Sequence, residues 1–154
     1  MNQLDIQLAT QSDNLPDEKQ FQLWIDAVLA DDQQDREVVI RIVDEAEMTA
    51  LNESYRQKTG PTNILSFPFQ PPPQIESNLL GDLIICAPVI DKEAKQQNKK
   101  VLDHWAHIVV HGMLHLLGYD HLTEEEAQVM ESLEINILQS LHISNPYQED
   151  FINE

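Results

Sequence analysis

The segment HIVVHGMLHLLGYDH, residues 107–121, carries four of the chain's six histidines, and a fifth, His104, lies just upstream. At about 100° per residue, the histidines at 104, 107, 111 and 115 fall within roughly 80° of one helical face. A lone histidine on such a face is usually a core residue, but the eight ring nitrogens of four need partners that an apolar interface does not supply. The segment therefore predicts a helix with a row of histidines that bind something polar or a metal ion.

The end of this row has the spacing of a metal site. His111 and His115 lie four residues apart, which places both imidazoles on one face within reach of one ion. Gly118 suits the left-handed end of a helix, after which the chain can turn back and bring His121 to the pair. Three neutral imidazoles with an open fourth position suit one zinc ion that lowers the pKa of a bound water. Two alternatives stay open: His107 replaces one ligand, or the cluster is purely structural.

The same spacing, HxxxHxxGxxH, is the ligand frame of the metzincin zinc proteases. Those proteases carry a glutamate general base directly after the first histidine, where this chain has Gly112. Peptide hydrolysis by that mechanism would lack its base.

Hydrophobic periodicity predicts an α/β (α+β) fold: a single small mixed sheet of about four strands packed with about five helices, with the metal site at the end of a helix. Strands are predicted at residues 4–9, 37–43, 62–69 and 79–86, and helices over about 21–29, 44–55, 88–97, 102–117 and 123–141. Asp44 with Glu47, and Thr123 with Glu126, are predicted to cap two of these helices. Pro68 places the end of its strand at a sheet edge, because proline cannot donate to a ladder.

Length and composition predict a single domain spanning residues 1–154, with the residues after about 143 as a tail. The one cysteine, Cys86, excludes a disulfide within the chain and is interpreted as a small buried hydrophobe. The absence of a leader-like start or a long apolar run predicts a cytoplasmic protein without a membrane partner.

Charge argues against a protein that coats nucleic acid by bulk electrostatics, since the formal net charge is −18. Residues 101–154 contain ten acids and no lysine or arginine, whereas residues 51–100 contain six bases against five acids. A polyanion is therefore expected to approach the middle segment, unless that segment is ordinary solvated surface.

Three blocks of the sequence resemble the YbeY endoribonucleases, a family of rRNA maturation factors. The family signature HGxLHLxGYDH is matched by residues 111–121, LNESYRQKTGPTNILSFPF (51–69) looks like a second signature block, and GDLII (81–85) a third. The resemblance covers about residues 37–142. It departs from the family pattern at Thr59 and Gly60, where an aspartate and a variable residue are expected.

The resemblance implies one zinc ion held by His111, His115 and His121, with Arg56 as a catalytic residue in the same cleft. A guanidinium suits that role, because it can clamp a phosphodiester and stabilise charge that develops at phosphorus.

Four further residues are candidates for contacts to substrate or to a ligand: Asp120, Asp82, Ser66 and His107. Asp120 could orient a ligand imidazole by accepting its other N–H, or could serve only the local structure. Asp82 could act in the same way or close a turn.

The function implied is a single-strand-specific, zinc-dependent endoribonuclease that acts in rRNA processing, at the 3′ end of 16S rRNA, and in ribosome quality control. Its expected partners are single-stranded RNA and the small ribosomal subunit with its proteins; no DNA partner is expected. The nucleophile, either zinc-activated water or the RNA's own 2′-hydroxyl, and the general base stay open. Two alternatives are a ribosome-assembly binding factor with a structural zinc, and a zinc hydrolase of another substrate.

Overall fold

A computed structural model describes residues 1–147 as four strands and five helices. The strands are β1 (Gln3–Ala9), β2 (Glu37–Val43), β3 (Ile64–Pro68) and β4 (Leu79–Cys86). The helices are α1 (Glu18–Val28), α2 (Glu45–Arg56), α3 (Ala87–Gln96), α4 (Val101–Leu116) and α5 (Glu124–Ser140). The predicted elements are confirmed, and the bounds of β2 and β4 agree with the prediction to the residue.

The four strands form one mixed sheet in the order β1-β2-β4-β3. β1 and β4 both run parallel to β2, and β3 runs antiparallel to β4. β3 is therefore an edge strand, as Pro68 predicted, and it ends at that residue, one position before the predicted end. The predicted fold class, a single mixed sheet of four strands with five helices, is confirmed.

Helices cover both faces of the sheet. On one face, α1, α4 and α5 enclose the larger apolar core, in which Trp105 of α4 is fully buried and contacts the edge of the Phe21 ring at 5.9 Å between centroids. On the other face, α2 buries Met48 against Ile84 and Cys86 of β4. Within residues 1–147, none of the helices combines the length and the apolar character that crossing a bilayer requires.

Gly112 determines how closely α4 approaches the sheet. A Cβ added to Gly112 would lie 2.4 Å from Ile64 Cδ1 and 3.0 Å from Leu83 Cδ2, so any larger residue would require these side chains of the sheet to move. The position where a metzincin carries its glutamate therefore faces the packed sheet in this chain.

The two predicted caps have different outcomes. At α5 the capping box is confirmed: the Glu126 N–H donates to Thr123 Oγ1, and the Thr123 N–H donates to the Glu126 carboxylate. At α2 the predicted box is wrong.

Asp44 is the N-cap residue of α2, but its side chain caps nothing in that helix. Its carboxylate accepts hydrogen bonds from the Thr10 hydroxyl and the Gln11 N–H, which follow β1. Glu47 instead forms a two-point ion pair with Arg41 on β2. Long-range partners that the local pattern does not contain therefore replace the capping box.

Candidate metal centre and cleft

Three histidines converge at the end of α4. His111 and His115 lie on its last turns, and the chain then turns through Gly118, whose φ of +100° is the left-handed conformation predicted for it. The turn brings His121 back toward the helix before α5 begins. One ligand atom from each of the three residues lies within 4.8 Å of the others, and they form the metal-competent group found among the described residues.

The nitrogens of this cluster suit a divalent cation. The Nε2 atoms of His111 and His115 face each other at 3.1 Å. Metal–nitrogen distances of about 2.0–2.1 Å in a tetrahedral zinc site separate two ligand nitrogens by about 3.4 Å, so only a small adjustment is required. Burial, followed by the neighbouring His111 and His121, lowers the pKa of His115. These surroundings favour the neutral imidazole, which is the form that binds metal.

The cluster forms one wall of a cleft of about 660 Å³. Arg56, Ser66 and Asp120 line the same cleft, so the structure brings these three predicted site residues together with the three histidines. Arg56 is the last residue of α2 and is exposed. No carboxylate of residues 1–147 forms an ion pair with it, so its guanidinium is available to a ligand.

Ser66 connects β3 to the histidine helix. Its hydroxyl donates to the carbonyl of Gly112, with an O–O distance of 3.1 Å. Because that bond uses the only hydroxyl proton, Ser66 can meet a ligand in the cleft only as a hydrogen-bond acceptor.

The other candidates occupy different positions. Asp120 accepts a hydrogen bond from the backbone N–H of His121, which shapes the turn, and its charge acts on His115 without a hydrogen bond to a ligand imidazole. Asp82 is not among the residues that line the cleft, and it shares the α2 side of β4 with Ile84 and Cys86. Burial, followed by repulsion from Asp5, raises the pKa of Asp82. The structure therefore does not bring Asp82 to the histidines.

The carboxylate that contacts a ligand imidazole is Glu134 of α5, which the sequence patterns missed. It is fully buried, and its Oε1 lies 2.6 Å from His111 Nδ1, while its Oε2 lies 3.1 Å from His107 Nε2 and 2.5 Å from the Tyr147 hydroxyl. Burial acts to raise the pKa of Glu134, but the hydrogen bonds from His107, His111 and Tyr147 outweigh it and lower the pKa to about 2. Glu134 is therefore an anion.

A local signal for Glu134 does exist. The most buried residues of α5 are Met130, Glu134 and Leu138, which recur every four residues along one helical face. An acidic residue between two apolar residues of a buried stripe needs a polar partner inside the protein.

Of the six bases in residues 51–100, only Arg56 is among the residues that line the cleft. Lys99 and Lys100 precede α4, at the end opposite to the histidine cluster. The predicted approach of a polyanion to the middle segment thus depends, at the cleft, on a single guanidinium.

Fold and site together define a small α+β protein with a tri-histidine candidate metal centre beside a polar cleft. Residues 5–142 match the family model described as endoribonuclease YbeY, and the chain therefore belongs to the YbeY endoribonuclease family, as the sequence motifs indicated. The family is one of metal-dependent nucleases, and membership supports an endoribonuclease role in rRNA processing.

A solved structure shares the fold. The solution structure of TM1509 from Thermotoga maritima is similar with a TM-score of 0.56 and 21% sequence identity, over 94% of this chain and 97% of that one.

Proposed function

We propose that this chain is a single-strand-specific, zinc-dependent endoribonuclease, with His111, His115 and His121 as the metal ligands and Arg56 as a catalytic residue. The observation that carries the proposal is the convergence of three imidazoles on the wall of a cleft that also contains the Arg56 guanidinium, which has no ion-pair partner within residues 1–147, in a member of an endoribonuclease family. Zinc fits this donor set, because open tri-imidazole sites are typical of catalytic zinc.

Arg56 binds the scissile phosphodiester in this proposal. Its five N–H donors can grip two phosphate oxygens at once, and it has no competing carboxylate among residues 1–147. The same donors stabilise the negative charge that develops on those oxygens in the transition state.

The three imidazoles would hold the cation at the wall of the same cleft. Their neutral form is required, and burial of His115 favours it. A zinc ion bound there would supply Lewis acidity toward a phosphate oxygen.

Ser66 is assigned to the ribose. Its oxygen can only accept, because its proton is given to Gly112, and a ribose 2′-hydroxyl is a suitable donor. Asp120 is the only acidic residue that lines the cleft within the described chain, and it is the candidate to take a proton from the nucleophile. Both the 2′-hydroxyl and a water molecule are possible nucleophiles in this arrangement.

Selection of the RNA is assigned to a partner. The net charge of −18 makes strong non-specific binding of RNA unfavourable. We therefore propose that the small ribosomal subunit and its proteins present the RNA, for maturation of the 16S rRNA 3′ end and for ribosome quality control in the cytoplasm. Residues 1–154 are proposed to act as one domain, with a tail after about residue 143.

The test is cleavage of a single-stranded rRNA fragment, and of the same fragment annealed to its complement, by protein of verified zinc content. Wild type is expected to cut only the single strand. Arg56→Ala is expected to lower the rate by about 10²-fold with zinc content unchanged, since one charge-stabilising donor is lost. His111→Ala is expected to lose both zinc and cleavage, whereas Lys58→Ala, a nearby cation that does not line the cleft, is the matched control.

Equal cleavage by all four proteins would identify a contaminating nuclease and contradict the proposal. A zinc-loaded wild type that binds the small subunit without histidine-dependent cleavage would instead favour an assembly factor with a structural zinc. Product ends identify the nucleophile: a 2′,3′-cyclic phosphate indicates attack by the 2′-hydroxyl, and incorporation of solvent ¹⁸O without a cyclic product indicates water.

A further inference from the structure

A buried carboxylate lies directly behind the metal cluster. Glu134 is the only fully buried acidic residue among residues 1–147, and it accepts hydrogen bonds from His111, His107 and Tyr147. An unpaired buried carboxylate is strongly destabilising, so a site that retains one must supply several donors. Within residues 1–147, the donors to Glu134 come from two imidazoles and a phenol, and no lysine or arginine contributes.

The contact to His111 determines which ring nitrogen binds the cation. A carboxylate can only accept, so His111 must carry its proton on Nδ1 and donate it to Glu134 Oε1 at 2.6 Å. Nε2 then has the free lone pair, and it is the nitrogen that faces His115. Without the carboxylate, the imidazole would be free to exchange the proton to Nε2 and to rotate away from the cluster.

We propose that Glu134 is the positioning residue of the metal centre, fixing the tautomer and orientation of His111, and that Tyr147 holds Glu134 in place. This inference rests on the metal site of the proposed function. Glu134 touches neither substrate nor cation and acts through His111 alone. A carboxylate behind a ligand imidazole also makes that imidazole a stronger electron donor.

Tyr147 extends this role to the segment that follows α5. Ile143 of that segment packs against the main core, and four residues later the Tyr147 hydroxyl donates to Glu134 Oε2. His107 Nε2 reaches the same oxygen from α4, so Oε2 is held from two sides while Oε1 stays directed at His111. Docking of this segment therefore contributes to the geometry of the metal site.

Competition titration of the full-length, metal-free protein with zinc and a chromophoric chelator tests the proposal. Glu134→Leu, which retains the bulk but cannot accept, is expected to bind zinc about 10–100-fold more weakly. Glu134→Gln, which restores one acceptor oxygen, should recover part of that loss, and Tyr147→Phe should show a smaller loss of roughly 2–5-fold, since one of three donors is removed.

A second readout separates positioning from mere structural support. Long-range ¹H–¹⁵N NMR of the metal-free protein reports which nitrogen of each imidazole carries the proton. Wild type is expected to show His111 protonated on Nδ1, and Glu134→Leu to lose that preference. Glu93→Gln is the matched control, since Glu93 contacts His104 on the same helix at 2.8 Å, away from the cluster. It should leave zinc affinity and the His111 tautomer unchanged.

The first case is that His111→Ala loses zinc, as the metal site requires. Zinc affinity of Glu134→Leu within twofold of wild type, or a His111 tautomer that does not change, would then overturn the positioning role. If wild type and His111→Ala bind zinc equally, the metal site itself is wrong, and the proposed function fails together with this inference. An equal loss of affinity in Glu93→Gln would show a general effect of fold stability and would also overturn the proposal.

Discussion

The two ends of the histidine row on α4 have the same residue type and the same helical face but different surroundings. At the amino-terminal end, His104 is 2% exposed and its Nε2 lies 2.8 Å from the Glu93 carboxylate. At the carboxyl-terminal end, the Nε2 atoms of His111 and His115 face each other across 3.1 Å at the wall of the cleft. His107 lies between the two ends, and its Nε2 forms a hydrogen bond with Glu134 Oε2.

The difference shows that partners, and not helical spacing, decide what a row of histidines does. When a carboxylate accepts a hydrogen bond from Nε2, that nitrogen cannot bind a metal ion. Nε2 of His104 and of His107 is occupied in this way, so these two side chains serve the structure. Glu134 instead contacts His111 at Nδ1, which leaves Nε2 directed at the cluster. A glutamate thus occupies Nε2 of His104 at the amino-terminal end of the row. At the carboxyl-terminal end, a glutamate bound to Nδ1 of His111 directs Nε2 toward the cluster.

The strongest test of this comparison replaces one histidine from each end. His111→Ala is expected to weaken zinc binding by more than about 100-fold, because loss of a ligand exceeds the loss of its outer partner. His104→Ala should leave zinc affinity unchanged but lower the free energy of unfolding by about 2–4 kcal/mol, since it opens a cavity and removes a donor to Glu93. Chelator competition and urea unfolding of the metal-free proteins measure the two effects.

Loss of zinc affinity in His104→Ala to the same degree as in His111→Ala would contradict a functional division of the row. His142, which lies outside the row after α5, provides a histidine control, and His142→Ala should change neither quantity by a measurable amount.

A second prediction concerns the close approach of α4 to β3 beside the metal end. Gly112→Ala places a Cβ 2.4 Å from Ile64 Cδ1, and overpacking of this kind costs about 1–3 kcal/mol. Because the added Cβ would also lie 3.2 Å from the Ser66 hydroxyl in the cleft, RNA cleavage should fall as well. Urea unfolding and the cleavage assay measure these effects.

Gly60→Ala is the control for Gly112→Ala, because a Cβ at Gly60 meets no atom within 4 Å and its cost comes only from the φ of +79°. A Gly112→Ala protein as stable as wild type would show that the neighbouring side chains of Ile64 and Leu83 move aside without cost. The tight packing of the metal end would then be unimportant for stability.

The smallest effect is a pH dependence at the amino-terminal end. The pKa of Glu93 in the folded protein is lowered. Burial alone would raise this pKa, but the hydrogen bonds from His104 and Asn63 outweigh the effect of burial. The resulting stability is present above the ordinary glutamate pKa of about 4.3 and is lost as the pH falls through the lowered value. Urea unfolding between about pH 3 and 6 should show wild type losing roughly 1 kcal/mol more than Glu93→Gln. Parallel pH profiles for the two proteins would show that Glu93 contributes no such stability.

Local patterns were sufficient for most elements of the fold. β2 and β4 are runs of β-branched and aliphatic residues with clear ends, and their bounds were predicted to the residue. Sheet order was not predictable in this way, because the pairing of β2 with β4 joins residues about forty positions apart and depends on how the helices pack. Asp44 shows the same limit, since its predicted cap is replaced by hydrogen bonds from residues that follow β1.

The sequence by itself determined the histidine trio, because an i, i+4 pair and a glycine turn are local geometry that a helix fixes without outside help. Tertiary structure alone decided how the other residues of the site come together and added Glu134 to them. The sheet, with α2 on one face and α4 on the other, brings Arg56 and Ser66 to the cleft, and the packing of α5 against α4 places Glu134 against His111. Ser66 contacts Gly112 46 positions further along the chain, and His111 contacts Glu134 23 positions further along, and no periodicity encodes such pairs.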